Sequence, residues 1–388
     1  MYEENNNIGS TRSALSCNGL LSDSDFLSCR LGHRRVRRPD TDMSWFKDPG
    51  AVEYTLSTVG DIRGLAELVN AGQDFKGKTI NLSSTYDFSA FPGFQIGGGD
   101  RFDTSAEKDS AKTFAGTLNG NGAIIRGLSI NGGGTGADDD ASFGFIAIAE
   151  NASINNLIFE DCTVTSNTSA TGVAVGYALD SDISNITVKN SSVSSAEAAG
   201  AVIGRLYTTG GGNTYTIENC QNIGTSVTVT PSYHAGGIVG YVNPGPIDIN
   251  TPTEVPTDTV KLIGNEVDLT NGATISSTNT TENQISAAGG ITGSVTMHDA
   301  SSLAVVFEDN TIRLNSTDQI KASGSPASYV HIGYLYGYER SNEDVDNINI
   351  PASAGNKLVL NGVETTIVGP SASVKDGETY HVIYPAEV

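Results

Sequence analysis

Side chains able to do chemistry are few in this chain, and their spacing is informative. The nearest approach to paired acids is Glu160/Asp161 and Glu308/Asp309. Two or three carboxylates converging on neighbouring turns would suit glycoside cleavage, one as acid and one as nucleophile or base. Each pair follows an apolar strand, at what reads as the same place in a repeat, so at least one member should face solvent. Lys and Arg, the usual partners in such sites, are scarce between 141 and 337.

The five histidines, His33, His234, His298, His331 and His381, show no zinc-ligand spacing such as HExxH. No nucleophile elbow, phosphate loop or dinucleotide fingerprint occurs. Asn119–Gly122 reads as a turn. Gly133–Asp138 matches half of a calcium nonapeptide, with Asp139 and Asp140 adding charge. A single copy cannot complete a coordination shell and reads as an acidic loop. No catalytic, cofactor-binding or metal-ligating residue is assigned, and no cofactor is expected.

The aromatics offer a binding surface instead. Tyr329, Tyr334, Tyr336 and Tyr338 cluster late in the chain, and Tyr233 and Tyr241 lie earlier. Alternate tyrosines on an outer face would stack on sugar rings, but the preferred reading is that they cover the last turn as a cap. Seven Asn-x-Ser/Thr sequons stand at Asn81, Asn151, Asn167, Asn185, Asn190, Asn279 and Asn315.

A repeat must position these residues. Short strings of small apolar residues and glycine recur: ASFG at 141–144, TGVAVG at 171–176, AGAVIG at 199–204, AGGIVG at 235–240, AGGITG at 288–293 and HIGYLYG at 331–337. Their closing glycines are 32, 28, 36, 53 and 44 residues apart. Between them come segments such as 154–164, 183–193, 215–220, 260–265 and 305–312, which alternate apolar and polar residues and then break at Asn or Asp. Period-two alternation marks a half-buried strand, and Asn/Asp marks its bend. Two or three such strands per repeat cannot bury an inner face alone. Coiling stacks equivalent strands about 4.8 Å apart in parallel ladders.

The expected fold is therefore all-β, a right-handed parallel β-helix (solenoid) with a short N-terminal capping helix and C-terminal capping strands. Glycines 144, 176, 204, 240 and 293 should relieve a bend with no room for a side chain. Extra length in later repeats falls in polar segments 243–259 and 277–284, read as protruding loops. Cys162 and Cys220, aligned at one repeat position two turns apart, should be too distant to bridge and buried as small fillers. Thr58 should cap a helix bearing Asp61 in its first turn and Ile62, Leu65, Ala66 and Val69 on one face. Segments 364–368 and 379–384 read as strands with a turn at Asp376-Gly377 between them. The divisions are 1–47, a polar arm or leader; 48–113, the N-terminal cap and lead-in strands; 114–340, β-helix repeats; and 341–388, C-terminal cap strands.

Charge narrows the partners. The net charge is −22, and residues 48–388 carry 15 Lys/Arg against 38 Asp/Glu. Such a surface repels nucleic acid and anionic lipid. The basic run at 33–38 is the exception and reads as a solvated loop or processing site. No run of eighteen apolar residues would span a membrane, and no signal peptide is recognisable in the first thirty residues.

The segment FAGTLNGNGAIIRGLSI at 114–130, its approach through 54–58, 65–72 and 75–82, and the GGIVG string ending at Gly240 resemble GLUG-type repeat proteins. The resemblance covers roughly residues 50 to 340. It implies a right-handed β-helix of bacterial or archaeal surface proteins and adhesins, a module that also accompanies some secreted metalloproteases. This chain departs in lacking a recognisable anchor and in its wider later gaps. The leading expectation is a non-catalytic extracellular or cell-surface protein, adhesin-like, presenting loops to a surface glycan or protein ligand. The alternatives are a structural subunit of an extracellular filament or sheath that self-associates by strand or arm exchange, and a polysaccharide-active enzyme or tailspike-like depolymerase.

Overall fold

Alternating apolar residues make each short strand bury one face, and the chain satisfies its backbone by pairing each strand with its equivalent in the next turn. The computed structural model describes residues 41–99, 111–133, 141–167, 170–243, 258–281, 284–297, 305–325, 330–341, 352–368, 373–376 and 379–382. Among them, four parallel sheets stack strand upon strand in sequence order. One coil runs Ala170–Gly172 (sheet I), Val175–Leu179 (sheet II), Asp182–Lys189 (sheet III) and Ser192–Ser195 (sheet IV). The next begins at Ala198–Gly200. Sheets I, II and IV have six strands each and sheet III has fourteen. Four stations per coil, rather than two or three, give a β-helix-like, solenoid-like stack of parallel sheets. Its interior is one continuous apolar core reaching from Tyr54 to Ile367.

Glycine recurs inside sheet II, as the second residue of its strands, and not at the bend the sequence suggests. Neighbouring coils there come too close for a side chain. Gly176, Gly204, Gly240, Gly293 and Gly337 form one column, because Val175, Ile203, Val239, Thr292 and Tyr336 are in register. A Cβ on Gly204 would lie 2.3 Å from the Thr171 amide nitrogen. Gly144 belongs elsewhere. Phe143 faces Thr171, so Gly144 stacks on Gly172 and Gly200, and the first two coils are each 28 residues long. Its neighbour in the Gly176 column is Ala147, since Ile146 faces Val175. The 32-residue first gap counted from sequence came from aligning two different glycines.

Sheet III bends twice per coil, five residues apart. The first bend holds Asn156, Asn185, Asn219, Gly264, Asp309 and Gly355, all at φ between 52° and 71°. The second holds Gly127, Asp161, Asn190 and Gly224, at φ between 48° and 68°. Asn, Asp and Gly are the residues that tolerate this left-handed backbone.

These two bends correct the placement of the cysteines. Glu160 pairs with Lys189 and Thr163 with Ser192, so Cys162 stacks on Ser191, after the second bend. Cys220 stacks on Ile186, after the first. The two do not share a repeat position. Both are free and buried, and burial raises their thiols to about 11 and about 12.

Helix α1 (Val59–Asn70) forms as expected, with Thr58 and Asp61 in a reciprocal capping box and Ile62, Leu65, Ala66 and Val69 in the common core. Trp45 and Phe46 pack on Tyr54 and Phe75, so the folded unit includes residues first grouped with the arm. At the other end Val363–Thr366 returns antiparallel on Lys357–Leu360, and Ser373–Asp376 pairs antiparallel with Thr379–Val382. The expected 364–368 strand therefore turns back on its predecessor. The hairpin that contains Asp376 is made with 373–376.

Candidate functional site

The outer faces of sheets I and II carry the aromatic residues. In sheet II one outward column reads Tyr177, Arg205, Tyr241, Ser294, Tyr338, one residue per coil. In sheet I the column seven residues earlier reads Ala198, His234, Ala287, His331. His234 stacks on Tyr241 with centroids 4.7 Å apart and planes at 16°, and His331 packs on Tyr338 at 4.4 Å. Tyr207 lies 5.3 Å from Tyr177 and 5.6 Å from Tyr241. Tyr177 and Tyr207, however, are buried in a second apolar cluster with Ile148 and Leu179, which leaves Tyr233, His234, Tyr241 and Tyr338 as the half-buried part of the row.

Tyr233, His234, Tyr241, Ile285 and Tyr338 enclose an open cleft of about 70 Å³. Its polar groups are fixed. His234 Nδ1 and Ser294 Oγ are 2.6 Å apart, and the Tyr241 hydroxyl bonds the Thr296 hydroxyl. Arg205 donates to Glu197 at 2.5 Å, with the guanidinium largely buried beside the aromatic row. Burial first, then the Glu197 charge, raises the Tyr233 phenol above its usual range and keeps it protonated. Tyr233 also has φ 91°, a costly conformation for a bulky residue and one that concentrates at functional sites. Burial lowers His331 to about 4, so it is neutral near pH 7.

Tyr233, Tyr241 and Tyr338, which the sequence offers to a binding surface or, by preference, to a cap, line this cleft. Tyr334 and Tyr336 point into the core instead, and Tyr329 lies outside the described residues. His234 and His331 carry no signal as metal ligands, and what marks them in the sequence is their seven-residue spacing from Tyr241 and Tyr338.

The carboxylate pairs do not converge. Glu160 precedes the second bend and Glu308 the first, so they are not equivalent. Glu160 is held by Arg126 at 2.7 Å and Lys189 at 3.8 Å, and Glu266 by Arg313 at 2.7 Å. Basic partners are thus present at these positions, as neutralising ladders. Asp180 and Asp258 accept backbone N–H bonds from Thr209, Gly210 and Asn213. Among the described residues no three His, Cys, Asp or Glu side chains group as a metal site, and no helix is long and apolar enough to cross a membrane. Residues 134–138 of the calcium-like segment, the basic run and loop 244–257 fall outside the described residues. Of segment 277–284, Ser277 and Thr278 belong to a strand. Sequons Asn151, Asn185 and Asn190 stand exposed at positive-φ positions, whereas Asn279 is buried and bonded to Gln284.

No family model and no curated protein matches this chain. Among solved structures, a crystal structure from Bacteroides ovatus described as a "putative immunoglobulin A1 protease" is 17% identical, with a TM-score of 0.47 over 84% of this chain and 82% of that one.

Proposed function

We propose that this chain is a non-catalytic binding module displayed outside the cell, a right-handed β-helix of the GLUG-repeat type closed by α1 at one end and antiparallel strands at the other. The observation that carries the reading is the cleft formed by Tyr233, His234, Tyr241 and Tyr338 on the outside of the stack. Aromatic side chains with one apolar face and a polar tip supply contact area at low entropic cost, which is why they collect at recognition surfaces. Partnering of Glu160, Glu197 and Glu266 by Arg or Lys favours binding over hydrolysis, because an acid needs an unpaired, raised-pKa carboxyl. Exposed sequons on coil corners suit an exported chain.

The test is a screen of the full-length protein against immobilised glycans and cell-surface proteins, with Tyr241→Ala alongside. The reading expects a ligand whose retention falls about fivefold or more in the variant, since a ring contact is worth on the order of a kcal/mol. Equal retention by both proteins removes the cleft from the account.

A further inference from the structure

The His–Tyr unit recurs on alternate coils. His234 with Tyr241 forms one platform, Tyr338 backed by the buried His331 forms the second, and the coil between them places Ala287 and Ser294 at the same two positions. Small residues between two aromatic platforms leave a recess, and the cleft lies there. Two rungs of a parallel sheet separate the platforms by roughly 10 Å along the stack.

We infer that the ligand is an extended, neutral, β-linked polysaccharide laid along the stacking direction, with every second sugar seated on a tyrosine platform. A β-linked sugar chain is a flat two-fold ribbon. It presents the same C–H-rich face once per disaccharide, and that repeat matches the platform spacing. The Ser294 and Thr296 hydroxyls are buried and bonded to His234 and Tyr241, so they hold the rings in place and leave the rings themselves to meet the sugar. Charge argues the same way. Glu197 and Arg205 cancel beside the cleft, and the surrounding protein, at −22, disfavours an anionic chain. The cleft is also too small to engulf a ring, which suits a polymer lying across it rather than a small molecule buried within it. The inference rests on the cleft being the binding site and adds the class and direction of its ligand.

The experiment is calorimetric titration of the full-length protein with cellobiose, cellohexaose, chitobiose and chitohexaose, repeated with Tyr338→Leu. Either hexaose should bind at least about tenfold more tightly than its dimer, because the second platform engages at high effective concentration. Tyr338→Leu should erase that gain, so that hexaose and dimer bind the variant alike. Equal affinity of dimer and hexaose overturns the two-platform arrangement while sparing the binding cleft, and it needs no variant. If no saccharide binds but a protein ligand is retained through Tyr241, the polysaccharide is wrong and the module reading stands. If nothing depends on Tyr241, both fail.

Discussion

Asn265, Asn310 and Asn356 stack in the core immediately after the first bend of sheet III, and all three are fully buried. Each side-chain oxygen accepts the backbone N–H of the coil before it: Cys220 to Asn265 at 2.9 Å, Asn265 to Asn310 at 3.0 Å and Asn310 to Asn356 at 3.0 Å. Each amide nitrogen donates to a backbone carbonyl, of Ile217, Leu262 and Phe307 in turn. In earlier coils Leu157, Ile186 and Cys220 fill the same column, so apolar packing gives way to a polar ladder partway along the stack. Asn310→Ala would strand the donors of Asn265, and a buried unsatisfied group costs about 1–3 kcal/mol. The variant should lose roughly 2–4 kcal/mol in urea denaturation, while Asn→Ala at exposed Asn70, the last residue of α1, should change little. His331 adds a pH dependence. Its folded pKa, about 4, lies below the unfolded 6.5, so the unfolded chain binds the proton first. The stabilising difference is whole above pH 6.5 and is lost as pH falls towards 4. By comparison with His331→Leu, stability should drop by up to about 3 kcal/mol across that window.

At the level of elements, the capping box of α1 should be worth about 1 kcal/mol, read as the loss in Thr58→Ala by thermal denaturation. The glycine column should be far less forgiving. Gly204→Ala drives a Cβ into the backbone of the neighbouring coil and should cost about 3 kcal/mol or more, or prevent soluble expression. The same substitution at Gly133, where a Cβ would meet nothing closer than 4.0 Å and φ is ordinary, provides the comparison. These elements also show what was legible beforehand. The helix was readable because its cap and apolar face are local. The repeat was readable because glycine is a steric necessity where the backbones of neighbouring coils come this close. The register was not, because each coil has two bends five residues apart built from the same residue types. The Asn219-Cys220 and Asp161-Cys162 steps look alike in sequence yet occupy different bends, and the misplacement of Glu160 against Glu308 has the same origin.

For the molecule as a whole, parallel stacking turns a sequence period into a spatial one. The seven-residue His–Tyr spacing recurs at 234/241 and 331/338, although the intervening coils differ in length, because loops absorb the difference outside the sheets. The cleft was only half legible. Tyrosines announced themselves, but which of them face outward depends on register, and Tyr334 and Tyr336 turned inward. The central claim is that this outer face holds a ligand and leaves it intact. The direct measurement is titration of cellohexaose and of chitohexaose into the full-length protein and into Tyr241→Leu, with mass spectrometry of the sugar recovered afterwards. The account predicts saturable binding of at least one hexaose by the wild type, binding about fivefold or more weaker by the variant, and hexaose returned at its original length. Binding indifferent to Tyr241, or a shortened sugar, would contradict it.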